Sequence, residues 1–260
     1  MPAPQEWDER TSPGRFADET VVVTGAGSGI GRAVALRVLA EGGRVVATDV
    51  SAERLDSLQL EVGDGGALVT VVGDVADQHD CERIVTAAGE RIDALANVAG
   101  IMDDFTPVHE VGDEVWERVM RVNVTGVMQL SRAVVPRMLA AGGGRIVNVA
   151  SEASLRGSAA GVAYTTSKHA VVGITRSCAV MYGPDGIRTN AVAPGATITN
   201  IEAHFASEHA MRRLGPYMAV NIGRAAQATQ VAATVAFLLS DDSTNVNGVV
   251  LASDNGWSAV

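Results

Sequence analysis

From Thr20 onward the chain alternates short β-branched runs with longer amphipathic stretches, a rhythm that few architectures can satisfy. Runs at 20–24, 44–49, 67–73, 94–98, 144–150, 187–192 and 248–251 have strand character. Between them, helical periodicity predicts helices near 29–41, 52–61, 77–90, 111–140, 160–182 and 226–239. Strictly alternating strands and helices imply βαβ units, hence an α/β protein with a parallel sheet of about seven strands and helices on both faces. VVVTG and RIVNVAS lack a polar alternate face, as expected of strands buried on both sides. No repeat, low-complexity tract or linker divides the sequence. The expectation is one domain over 17–260 behind a flexible arm, 1–16.

One segment breaks the rhythm. Residues 196–225 follow Pro194-Gly195, contain no clear strand, and mix Phe205, Met211, Leu214, Tyr217 and Met218 with His204, His209, Arg212 and Arg213. A loop of this length in a compact domain reads as a substrate lid; the alternative is a plain surface excursion.

Composition excludes several functions. A net charge of −10 disfavours nucleic acid and anionic membrane surfaces, because both require clustered basic residues. Cys81 and Cys178 are far apart and form no CxxC, so reduced thiols in a cytoplasmic protein are expected. The start, MPAPQEWDER, carries no apolar signal-peptide region, and no apolar run reaches the roughly 18 residues of a membrane span. The five histidines show no ligand spacing, and no metal is expected.

The first strand runs into Thr24-Gly25-Ala26-Gly27-Ser28-Gly29-Ile30-Gly31 and then a helix. A strand, a glycine-rich turn and a helix N-terminus together aim backbone N–H groups at a pyrophosphate. Gly25 permits the turn, Gly29 lets phosphates approach the backbone, and Gly31 lets the helix pack on the sheet; Ser28 and Ile30 lie between them. The second strand ends at Asp49, where a carboxylate can hold both ribose hydroxyls of an adenosine and repel a 2′-phosphate. No basic residue stands at Ser28 or Val50, so the expected cofactor is NAD. Asp49 could instead cap the next helix, but Ser51 is available for that role.

Further motifs follow in order: Asp74-Val75 in GDV, Asn97-Val98-Ala99-Gly100, Asn123 in RVNVTG, Ser151, Tyr164-xxx-Lys168, and Pro194-Gly195 before Thr197 and Thr199. With the TGAGSGIG turn they make the chain resemble the short-chain dehydrogenase/reductase family over nearly all of residues 16–257. The resemblance implies a single-domain Rossmann-type doubly wound sheet. It implies that Asp74 and Val75 contact the adenine. Asn97, Ala99 and Gly100 would support and wall the cofactor, while Pro194, Gly195, Thr197 and Thr199 orient its carboxamide. One departure is Val98, where the family commonly has a second asparagine.

Tyr164 and Lys168 stand at i and i+4 of a helical run, so they share a face. A free phenol ionises near pH 10, but an adjacent ammonium favours the phenolate, as would an oxidised nicotinamide. Tyr164 can then exchange a proton with an alcohol or ketone oxygen. Of twenty basic residues, Lys168 is the only lysine; the other nineteen are arginine. An ammonium is a compact charge on a flexible stem, able to reach both the tyrosine and the nicotinamide ribose, and a guanidinium fork cannot replace it simply. Ser151, at the end of the fifth strand, is placed to bind the substrate oxygen. By resemblance, Asn123 helps a water-linked proton path to Lys168.

The expected activity is NAD(H)-dependent interconversion of a secondary alcohol and a ketone. The lid residues suggest a partly hydrophobic substrate such as a steroid, a terpenoid or a 3-oxoacyl thioester. A catalytically silent NAD-binding sensor or scaffold is the alternative. Helices 111–140 and 160–182 carry spare apolar surface, and the resemblance implies a homotetramer or homodimer built on them.

Overall fold

The computed structural model describes residues 7–199 and 204–259; residues 1–6 of the expected arm and 200–203 of the expected lid lie outside the described residues. Seven strands form one parallel sheet in the order β3-β2-β1-β4-β5-β6-β9. They are β1 (Thr20–Thr24), β2 (Arg44–Asp49), β3 (Leu68–Val72), β4 (Ala94–Asn97), β5 (Gly144–Val149), β6 (Ile187–Pro194) and β9 (Val250–Ser253). Two further short strands, β7 (Thr197–Ile198) and β8 (Ala226–Gln227), pair with each other outside the sheet.

The β-branched runs explain the layering. In β1, Val21 and Val23 point into one apolar cluster and Val22 into another, as the two-residue period of a strand requires. The first cluster is closed by α1 (Gly29–Ala40), α2 (Ala52–Val62) and α8 (Ala228–Leu239). The second is closed by α3 (Gln78–Ala88) and α5 (Val127–Ala141). Further along that sheet, Val171 and Val172 of α6 (Val162–Tyr182) cover Ala191 and Ala193 of β6. Phe16, at the end of the expected arm, is buried in the first cluster, and its N–H donates to the Glu41 carbonyl.

Two elements differ from the sequence expectation. The long helix at 111–140 is α4 (Asp113–Met120) and α5, joined by a wider π-helical stretch, Arg121–Gly126. That stretch is rich in β-branched residues, which are poor helix formers. Its Asn123 pairs with both the N–H and the C=O of Ile101. Residues 196–225, read as a loop, contain α7 (Glu208–Asn221). Gly215 and Pro216 interrupt its pattern, although Ser207 caps it by accepting from the Ala210 N–H.

All strands run one way, so the ends of β1, β4, β5 and β6 lie side by side. The connections from β1 and β4 leave toward opposite edges, opening the crevice in which such sheets bind ligands.

Candidate active site

At the end of β1 the Thr24 hydroxyl accepts from the N–H groups of Val98 and Ala99, both at 2.9 Å, locking the glycine-rich turn to the strand beside it. A Cβ on Gly31 would collide with the Gly25 carbonyl oxygen, so α1 can start here only with glycine. Gly29 has φ +53°, and a side chain there would press on the Thr199 side chain at 3.2 Å. The α1 N-terminus has no side-chain cap, because Ser28 makes no such bond. Its first N–H groups are therefore directed outward with no capping side chain.

Asp49 closes the other side of the turn. One carboxylate oxygen accepts from the Gly27 N–H at 3.0 Å and the other from the Ser51 N–H at 3.0 Å. Ser51 itself caps α2 by accepting from the Arg54 N–H, so Asp49 is not needed as the helix cap. Next to it a cavity of about 520 Å³ is bounded by Gly27, Ser28, Gly29, Arg32, Glu53, Arg54 and Ser57, with Arg32 paired to Glu61. The two arginines come from α1 and α2, and reading only positions 28 and 50 missed them.

These features fit a dinucleotide: an uncapped helix start for phosphates, glycines that admit close approach, and an acid for a ribose. The remaining expected contacts are arranged less uniformly. Asp74 accepts from the Ala76 N–H and pairs with Arg121 at 2.8 Å, while Val75 is buried against Gly126. The Asn97 amide donates to Asn148 at 2.8 Å and Ser131 at 3.2 Å, and Asn148 donates to Thr175. That buried polar ladder, with Thr24, escaped the sequence reading; an asparagine inside the apolar run RIVNVAS was the available signal. Pro194 ends β6, Gly195 packs on Asp254, and the Thr197 hydroxyl donates to the Gly195 carbonyl.

Across the crevice, Ser151, Tyr164 and Lys168 come together. Lys168 is 3% exposed; its Nζ donates to the Val149 carbonyl at 2.9 Å and lies 5.4 Å from the centre of the Tyr164 ring. A Cβ on Gly100 would sit 3.3 Å from both Lys168 Nζ and Asn123 Oδ1, so Gly100 separates those two groups. Asn123 is fully buried, and its amide also donates to the Ser167 hydroxyl at 3.1 Å. The Ser151 hydroxyl accepts from the Ala153 N–H at 3.1 Å and acts on the Tyr164 phenol in favour of its ionised form.

The electrostatics correct one expectation. Burial pushes Tyr164 up to about 12, a hydrogen bond from Ser151 partly offsets this, and the charge of Asp103 adds to it. Lys168 does not bring the phenol below its ordinary value; burial instead lowers the lysine itself to about 8. Beside Ser151, buried Glu152 meets Arg156 and Asp254, and burial raises its carboxyl to about 7.

The short chain dehydrogenase model matches residues 19–210, and the chain belongs to that family, whose members are oxidoreductases that bind nicotinamide cofactors. Over 251 residues it is 40% identical to 3beta-hydroxysteroid dehydrogenase 2 of Eggerthella lenta, covering 94% of this chain and 96% of that one. The crystal structure of levodione reductase superposes with a TM-score of 0.84 at 38% identity, covering 94% of this chain and 99% of the other. A protein from Beutenbergia cavernae, assigned as an NAD(P) dependent gluconate 5-dehydrogenase with NADP bound at low occupancy, gives a TM-score of 0.82. It is 38% identical and covers 96% of this chain and all of that one.

Proposed function

We propose that this protein interconverts a secondary alcohol and a ketone with NAD(H), Tyr164 serving as general acid and base. The observation that carries this reading is the burial of the chain's one lysine beside Tyr164. When bound, the nicotinamide takes or gives the hydride and, oxidised, adds a positive charge near the phenol.

The residues divide the remaining work. Gly25, Ser28, Gly29, Ile30 and Gly31 offer backbone to the pyrophosphate, and Asp49 binds the adenosine ribose. Asp74 and Val75 line the adenosine side; Asn97, Ala99 and Gly100 support and wall the cofactor; Pro194, Gly195, Thr197 and Thr199 hold the carboxamide. Ser151 donates a hydrogen bond to the substrate oxygen. Tyr164 gives that oxygen a proton in reduction and removes it in oxidation. Lys168 binds the nicotinamide ribose and holds a positive charge near the phenol, and Asn123 links it toward solvent through water. With its pKa near 12, Tyr164 is protonated at neutral pH, which suits ketone reduction. Oxidation requires the phenolate and should accelerate as pH rises.

Asp49 supports NAD over NADP, because its carboxylate stands where a 2′-phosphate would be repelled; Arg32 and Arg54 moderate that preference. The apolar residues Phe105, Phe205, Leu214 and Met218, clustered with Tyr164, suit a hydrophobic ring substrate of steroid or terpenoid type, and residues 196–225 serve as its lid. Exposed Trp116, Met128, Val180 and Met181 on α4, α5 and α6 support assembly as a homotetramer or homodimer. Among the described residues no helix is long and apolar enough to cross a membrane.

The test follows NADH absorbance across secondary alcohols and ketones, including hydroxysteroids. Turnover abolished by Tyr164→Phe supports the proposal. Tight NADH binding without turnover of any of them would favour a silent sensor.

A further inference from the structure

Asp103 lies in the loop between β4 and α4, 61 residues before Tyr164, and is 5% exposed. Its Oδ2 accepts from the Tyr164 N–H at 2.8 Å; its Oδ1 accepts from the N–H groups of Gly161 at 3.2 Å and Phe105 at 3.1 Å. The Val162 N–H donates to the Thr106 carbonyl of the same loop. A helix start leaves its first N–H groups without intrahelical partners. In α2, α3 and α7 the chain's own N-cap side chain supplies one: Ser51, Asp77 and Ser207. The N-cap of α6 is Gly161, which has no side chain to offer. A Cβ at Gly161 would come within 2.5 Å of Asp103 Oδ2 and 2.8 Å of the Thr106 nitrogen, so the glycine leaves the cap's place to a distant loop.

We infer that Asp103 is a positioning residue for Tyr164: it caps α6 from another loop, fixes the turn carrying the phenol, and keeps a negative charge beside it. The inference rests on the reading of Tyr164 as the proton-transfer group.

Both carboxylate oxygens accept in this cap, which an amide with a single acceptor oxygen cannot reproduce, and the charge has a separate effect. The groups facing the phenol are Ser151 from the β5 loop, Lys168 from α6 and Asp103 from the β4 loop. The residues clustered on it from the C-terminal segment and from α7 are apolar: Trp257, Leu214 and Met218. Burial is the main force against the phenolate, and the Asp103 charge adds to it, favouring the proton-donating form of Tyr164. The same loop supports the apolar cluster around Tyr164: Phe105, at φ +59°, stacks on Phe205 at 4.1 Å, and the Asp104 carbonyl accepts from the Ala206 N–H.

The test is a stopped-flow alkaline pH jump that reads tyrosinate absorbance before unfolding. Subtracting the same background carrying Tyr164→Phe isolates this phenol from Tyr182 and Tyr217. Asp103→Asn should lower the Tyr164 midpoint by about 0.5–1 unit, and Asp103→Glu, which keeps the charge, should leave it nearly unmoved. In both variants amide exchange over residues 161–165 should quicken about tenfold as the cap is lost. If Asp103→Asn fails to fold, Asp103→Ser carries the same expectation. An unchanged midpoint in the uncharged variant, or unchanged exchange in both, would overturn the inference. The titration reads the phenol whatever its role, so turnover surviving Tyr164→Phe would sink only the catalytic reading.

Discussion

The two walls of the strand-end crevice are built by different means. The wall carrying the glycine-rich turn is held by backbone: Thr24 receives two N–H groups, Asp49 two more, and Gly31 leaves no room for a side chain. The wall across from it is held by side chains: Phe105 on Phe205, with Met102, Leu214 and Met218 around Tyr164. Tyr217 and Val220 of α7 remain exposed. Backbone geometry tolerates almost no substitution, whereas an apolar cluster accepts many of similar volume. The first wall suits one invariant ligand and the second can be re-cut for different substrates.

That contrast can be broken by substitution. The largest effect is expected at Gly31. Gly31→Ala forces the turn open and should weaken NADH binding by about 100-fold, roughly 2.7 kcal/mol, in a fluorescence titration; a change under about threefold would mean the turn is as adaptable as the other wall. Next, Asp49→Ala should weaken NADH about tenfold and NADPH far less. Equal losses would remove Asp49 from the choice between the two, leaving it to Arg32 and Arg54.

The smallest effect falls on the substrate wall, at Glu152. Its folded pKa near 7 lies above the ordinary carboxyl value of 4.5. A raised pKa contributes stability that is fully present below about 4.5 and lost as pH rises through about 7. Glutamine imitates the protonated form, so the melting temperature of Glu152→Gln relative to wild type should rise between pH 4.5 and 8, by about 2–4 °C. A difference that stays flat with pH would show that Glu152 ionises normally.

The same contrast explains what the sequence made legible. Seven strands, the glycine turn and the Tyr164–Lys168 pair follow from local pattern, since strand burial and i,i+4 spacing leave direct marks. Helix α7 was hidden by Gly215 and Pro216, and the π-helical stretch by its continuous apolar period. Asp103, Thr24, Asn148 and Arg54 act on residues distant in the chain or on another element, and no local spacing marks such pairs. The acidity of Tyr164 was misjudged for a related reason: an adjacent ammonium is visible in a motif, whereas complete burial is a property of the packed core.

The central claim is that Tyr164 moves the proton while dinucleotide binding does not depend on its hydroxyl. The most direct measurement pairs single-turnover ketone reduction with NADH titration for wild type and Tyr164→Phe. The account predicts a rate loss of about 10²–10⁴-fold with the NADH dissociation constant within about threefold. Near-full turnover in Tyr164→Phe would contradict it.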